Sequence, residues 1–197
     1  MMKKILLAFL VVSLAPAVFG EIAQNYDFSS GLSSWSTWSS WTWAWPFATN
    51  DGTDDFVRMG GWGDNISWGT TAVWQDTGAV YQPNTEYTLT LEWRDPSTGP
   101  EIVETVWLGL LNASDWSDVS GIVDGPAGAE DAWTTATLTF NTASDPCVVG
   151  QPLGVGMRVT SATTAWVDIN SISLVPEPAS ICLIGLGSAL ALRRKRR

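Results

Sequence analysis

The segment Glu86–Arg94, EYTLTLEWR, constrains the fold more than any other stretch. Tyr87, Leu89, Leu91 and Trp93 alternate with Glu86, Thr88, Thr90, Glu92 and Arg94. Successive side chains of a strand stand on opposite faces, so this pattern gives one dry face and one wet face. Ala132–Phe140 (AWTTATLTF) repeats it, with Ala136, Leu138 and Phe140 inward and Thr135, Thr137 and Thr139 outward. Leu153–Thr160 (LGVGMRVT) aligns Leu153, Val155, Met157 and Val159. Its Gly154 and Gly156 share the opposite face, where missing side chains let another group approach closely.

Val103–Leu111 (VETVWLGLL) is apolar on both faces toward its end, the pattern of a central strand covered twice. On this reading Trp107 belongs to the core, as do Trp93 and Trp133. Thr164–Leu174 carries Val167 and Ile169 in one phase and Ile172 and Leu174 in the other, which predicts a β-bulge at Asn170 or Ser171. Ile22–Phe28, Asp54–Met59 and Ala72–Gln75 bring the expected strand number to about eight. Turn signals fall between the segments at Pro83-Asn84, Asp95-Pro96, Gly125-Pro126 and Asp145-Pro146. No helical periodicity interrupts Glu21–Leu174. The expected fold is all-β, an antiparallel two-sheet jelly-roll sandwich, with a helix-forming segment at each end.

Both end segments read as targeting signals. Lys3 and Lys4 precede the apolar run Ile5–Val12, and small residues follow up to Gly20. That order is a secretory signal peptide over residues 1–20, cut by signal peptidase after Gly20. A second apolar run, Ser180–Leu192, is closed by Arg193, Arg194, Lys195, Arg196 and Arg197. Consecutive cations after an apolar segment hold that end on the cytoplasmic side of a membrane, leaving the body, residues 21–174, outside.

The end segments also hide the body's charge. Between Glu21 and Glu177 only Arg58, Arg94 and Arg158 stand against all twenty acids, a net charge of −17 where the whole chain shows −10. Such a surface repels phosphate backbones, which excludes nucleic acid as a partner. The chain contains no histidine, so histidine-activated nucleophiles and histidine zinc sites are excluded. Cys147 lies in the body and Cys182 in the apolar tail, so no internal disulfide is expected.

Two resemblances extend this reading. Val175-Pro176-Glu177-Pro178, the apolar segment and the basic terminus, in that order over residues 175–197, resemble the PEP-CTERM sorting signal of Gram-negative bacteria. The resemblance implies processing near Pro176–Pro178 by exosortase, a membrane protease-transpeptidase, and passage to the cell surface or extracellular matrix. In the body, Asn25-Tyr26-Asp27-Phe28, Gly31-Leu32 and Trp35 resemble the opening motif of carbohydrate-binding, galactose-binding-like jelly rolls, and Asp168 before Ile172 and Leu174 is similar to their closing pattern. That likeness implies a structural calcium held between Asp27 and Asp168, although Ser29 stands where the family usually has Glu.

Thirteen tryptophans raise the question of a ligand surface. Trp41, Trp43 and Trp45 are spaced to share one strand face, and indoles suit sugar rings because they join a wide apolar face to a polar N–H. The residues leave two readings open, a stacking platform or an edge of the core. Trp62, Asp64 and Asn65, in the loop GGWGDN, would complete such a platform. No paired-carboxylate motif marks a hydrolase. The expected function is therefore non-catalytic: an exported surface protein binding polysaccharide, with a purely structural matrix protein or a glycoside hydrolase as alternatives.

Overall fold

The computed structural model describes residues 21–39, 46–61, 69–96, 105–124, 131–161 and 165–178. The described chain is almost entirely β: β1 (Ser36–Ser39), β2 (Phe47–Asn50), β3 (Asp55–Gly61), β4 (Gly69–Val80), β5 (Thr85–Arg94), β6 (Thr105–Asn112), β7 (Ser117–Asp124), β8 (Thr134–Asn141), β9 (Pro152–Ser161) and β10 (Ala165–Pro178), with one 3-10 turn at Pro146–Val148. Two five-stranded antiparallel sheets form a sandwich. One, the groove sheet, has the order β1-β4-β9-β6-β7, and the other has the order β2-β3-β10-β5-β8. Consecutive strands from β3 to β8 are divided between the sheets and β9 and β10 return to their centres, which is jelly-roll connectivity. The short β1 and β2 add an edge to each sheet; with β7 they are three strands beyond the expected eight, and the loss of Ile22–Phe28 leaves ten among the described residues.

The alternation read in β5 is realised residue by residue, with Tyr87, Leu89, Leu91 and Trp93 buried between the sheets. They meet Val57, Met59, Ile169, Ile172 and Leu174 of their own sheet, and Val73, Leu108, Leu110, Val155 and Met157 of the other. Burial at roughly 25 cal/mol per Å² of apolar surface makes this interlayer the fold's main stabilising term. The bulge falls where the phase change predicts it, with the β10–β5 register shifting between Ile169 and Ser171.

Ile22–Phe28 is not a strand. Asn25 and Phe28 both adopt left-handed backbone, with φ of 49° and 53°. The Asn25 side-chain amide donates to the carbonyls of Gly31 and Ser33, its oxygen accepts from the Ser30 N–H, and the Trp35 indole N–H donates to its carbonyl. Phe28 and Trp35, with ring centroids 5.3 Å apart, are thereby pressed into the core. The opening motif is a structural knot. A second difference is β7, a polar edge strand that sequence periodicity does not reveal.

β10 does not stop at Leu174. It runs through the sorting residues, pairing Val175 with Thr88, Pro176 with Tyr87 and Glu177 with Glu86, and Pro176 is buried. Beside it lies the start of the body: the Ile22 N–H donates to the Leu174 carbonyl, the Leu174 N–H donates to Glu21, and so does the Ser173 hydroxyl. The two ends of the sandwich domain therefore sit together at one pole.

Candidate functional site

The outer face of the groove sheet carries a well-developed groove formed by described residues. In β4 the inward residues are Val73 and Gln75, so Ala72 and Trp74 point outward. In β9 the outward phase is Gly154, Gly156 and Arg158, and in β6 it is Trp107, Gly109 and Leu111. The register then builds one cross-strand row: Trp74 opposes Gly156, Gly156 opposes Gly109, and Gly109 opposes Gly121 on β7. Three consecutive glycines across three strands make a trough, and larger side chains fall into it.

Trp107 lies down on this floor. A Cβ added at Gly109 would sit 2.0 Å from its ring, and one at Gly121 would sit 2.6 Å from it. Leu111 covers Gly156 in the same way, at 2.7 Å. Above the trough stand Trp38 from β1, Trp74 and Trp116, enclosing a groove of about 390 Å³ with Trp107, Leu111, Asp118, Met157 and Arg158. That volume lies within the range of small-molecule sites. Trp38 is 48% exposed and Trp116 39%, so both present indole surface to solvent.

Trp116 occupies its place at a conformational cost. It adopts φ 61°, uncommon for a bulky side chain. The β6–β7 turn holds it there: its N–H donates to the Asn112 carbonyl at 2.7 Å, the Ser114 N–H donates to the Asn112 side chain, and the Ser117 N–H and hydroxyl donate to Asp115. The Ser117 hydroxyl and N–H lower the Asp115 carboxyl below its ordinary pKa. The turned-in indole reaches Trp74, with centroids 5.8 Å apart, and touches Gly154.

Among the described residues the groove's charged groups are one pair. Arg158 Nη2 lies 2.8 Å from Asp118 Oδ2, with the two side chains 40% and 49% exposed. The guanidinium carbon is 3.8 Å from the Trp107 ring centroid, close enough for a cation–π contact.

Asp168 is used differently from the calcium role implied by its motif. It is fully buried on the outer face of the other sheet, where Arg58 binds both its oxygens at 2.6 and 2.8 Å and Arg94 adds a bond of 3.2 Å. Arg94 stacks on Trp133, 4.3 Å from its centroid, and reaches Asp51 at 2.9 Å. Trp133 is consequently an outer-face residue and not a core one. The bond to Asp168 raises the Arg58 pKa. Asp27 is exposed, accepting from the Ser29 hydroxyl and N–H, and the N–H bond is the main cause of its lowered pKa. The Ile172 N–H donates to the Tyr26 carbonyl, so Asp27 sits beside a point four residues along β10 from Asp168, on the order of 13 Å in an extended strand. The two carboxylates are not brought together, and no group of three or more potential metal ligands occurs among the described residues.

The other expected positions fall elsewhere. Trp41, Trp43, Trp45, Trp62, Asp64 and Asn65 lie outside the described residues, as do Gly20 and Arg193–Arg197. Of the opening tryptophan run, Trp35 is buried and Trp38 lines the groove. Sequence reasoning missed Trp38, Trp74 and Trp116 and placed Trp107 in the core. The available signal was Trp74 in the outward phase beside Val73 and Gln75, together with glycines in the outward phase of two other strands.

Residues 174–197 match the PEP-CTERM protein-sorting motif. The chain carries a PEP-CTERM sorting signal. Such a signal marks an exported protein handled by exosortase for surface placement. No curated protein matches the sequence. Among solved structures, this chain is similar to an arabinose-bound α-L-arabinofuranosidase (TM-score 0.61, 15% identity), with 83% of this chain aligned but only 27% of the enzyme. It is also similar to a cyclase from Fischerella sp. TAU (TM-score 0.57, 17% identity, 74% of this chain and 85% of that one). A third likeness is to carbohydrate-binding modules of the β-sandwich superfamily (TM-score 0.55, 20% identity, 76% and 60%). At these identities the likeness establishes the sandwich fold.

Proposed function

We propose that this PEP-CTERM protein is a non-catalytic glycan-binding sandwich placed at the surface of a Gram-negative cell. Its apolar tail holds it transiently in the inner membrane until exosortase cuts near the Pro-Glu-Pro unit. The observation that carries the reading is the convergence of Trp38, Trp74, Trp107 and Trp116 on one glycine-floored groove. Indole faces complement the C–H faces of pyranose rings, and the groove leaves Trp38 and Trp116 open to receive them. The fold shared with carbohydrate-binding modules supports the same reading.

Hydrolysis is disfavoured by the groove's chemistry. Glycosidases flank the scissile bond with two carboxylates, whereas the groove is lined by Asp118 alone among its described residues, and that group is paired with Arg158. The test is a polysaccharide array followed by affinity electrophoresis. Aromatic anchors at binding sites are worth about 2 kcal/mol, so Trp74→Ala is expected to weaken binding roughly 30-fold. Reducing-sugar release would overturn the non-catalytic assignment. Unchanged binding by a folded Trp74→Ala, Trp116→Ala protein would remove the groove as the site.

A further inference from the structure

The body contains three cations, and two of them, Arg58 and Arg94, are committed to Asp168 on the opposite sheet. Arg158 is the remaining one, and it sits in the groove. It is held on two sides. Trp107 faces the guanidinium at 3.8 Å, and Asp118 takes one of its N–H groups at 2.8 Å. Among the described residues the lining therefore has no net formal charge, within a segment, residues 21–177, at −17.

An acidic polysaccharide would meet this body as like charge. A carboxylate taking one of Arg158's other N–H groups would stand beside Asp118, setting two anions around one cation. A sugar hydroxyl has no such conflict, because it both donates and accepts. Arg158 has four N–H groups beyond the one given to Asp118, and the carboxylate has further lone pairs, so a vicinal diol can bridge the pair without breaking it. Hydrogen bonds to charged partners are the strong ones, so the pair sets orientation where the indoles supply apolar contact.

We infer that the groove selects neutral glycans and that the Arg158–Asp118 pair, buttressed by Trp107, reads their hydroxyls. This rests on the glycan-binding reading above and adds ligand class and specificity residues to it. The pair consists of positioning and contact groups for binding, with no chemical step.

The test uses purified full-length protein in detergent against neutral polysaccharides (dextran, laminarin, galactan, mannan) and uronate polymers (polygalacturonate, alginate), each at 20 and 500 mM NaCl. Methyl-esterified polygalacturonate serves as the charge-free twin of its parent. Binding confined to neutral probes is expected, with less than about a twofold change between the salts, because no counterions are exchanged. Arg158→Ala and Asp118→Ala are each expected to lower that binding about tenfold. Asp118→Asn, which leaves the guanidinium unopposed, is expected to gain salt-sensitive binding to polygalacturonate. The inference is overturned if the wild-type protein prefers polygalacturonate to its ester, or if both alanine variants bind neutral probes unchanged. Failure on every probe, neutral and acidic, would overturn the glycan reading itself and is distinguishable from either result.

Discussion

Gly121→Ala tests whether Trp107 lies on the glycine floor. The added Cβ would meet Cε2, Cζ2 and Nε1 of Trp107, all at 2.6 Å, whereas carbon contacts settle at about 3.5–4.0 Å. Gly121 is not among the residues with left-handed backbone, so alanine introduces no conformational strain and the effect reports on the ring. The indole must lift by roughly 1 Å, into the guanidinium that stands 3.8 Å from its centroid. Overpacking costs about 1–3 kcal/mol in a closed core. Here the ring can rise into the groove, so the lower end applies, about 1 kcal/mol, or a fall in Tm of roughly 2–4 °C for a domain of this size. The larger effect is on binding, since lifting Trp107 fills the groove and displaces Arg158 from Asp118. Denaturant titration and affinity electrophoresis of Gly121→Ala, Trp107→Ala and the double variant form a cycle. The double variant should be no less stable than Trp107→Ala alone. Additivity of the two stability losses within about 0.3–0.5 kcal/mol would refute the contact.

Asp168→Ala leaves Arg58 and Arg94 together around a missing anion. Loss of one partner from a buried ion cluster is worth about 3 kcal/mol, so Tm should fall by roughly 6–12 °C, and a shift under 2 °C would show that solvent already shares the pair. With Asp168 given to arginines, a chelator should leave Tm unchanged, and a rise on adding calcium would restore a metal role. Asp51 is held down at about 2, first by the Asp54 N–H, then by the Thr53 N–H and the Arg94 side chain. Its folded pKa is depressed, so its contribution is present above the ordinary value of 3.8 and lost as pH falls from about 4 through 2; Tm measured against pH should decline in that window, and a decline centred above pH 5 would assign acid lability to other groups. Val175 and Thr88 face each other in register, so Val175→Cys with Thr88→Cys should slow exosortase processing in the oxidised state and recover with reductant, followed by intact mass; unchanged processing would mean that the enzyme accepts the strand in place.

The sequence revealed whatever depended on neighbours within one strand. Leu89 and Leu91, or Val155 and Met157, declare their face through a two-residue period because each strand is in contact with the same interlayer along its length. The phase change around Asn170 exposed the bulge for the same reason. What failed depended on partners distant in sequence. β7 is polar and owes its existence to pairing with β6, so its own alternation carries little signal. Ile22–Phe28 alternates like a strand, but Asn25 makes three side-chain bonds to the backbone between Ser30 and Ser33, and that local alternative to a ladder wins.

Trp107 shows where the limit lies for the site. Two apolar faces on β6 correctly indicate two covers, yet the second cover is no further layer of protein. It is the residue's own indole, folded over Gly109 and Gly121, and that arrangement exists only because the register sets Gly156, Gly109 and Gly121 in one row. A Gly-x-Gly phase in one strand is a weak indication of close approach. Two outward glycine phases that pair across strands, with an outward tryptophan in the same row, define a groove. The indoles that line it among the described residues come from residues 38, 74, 107 and 116, each unremarkable in its own segment. The groove is assembled by sheet order, and of the tryptophans in residues 35–45 it takes Trp38 among the described residues, Trp41, Trp43 and Trp45 lying outside them. Ligand surfaces on sheets are cross-strand objects, so outward-phase residues must be compared between strands before any single strand's aromatics are assigned to the core.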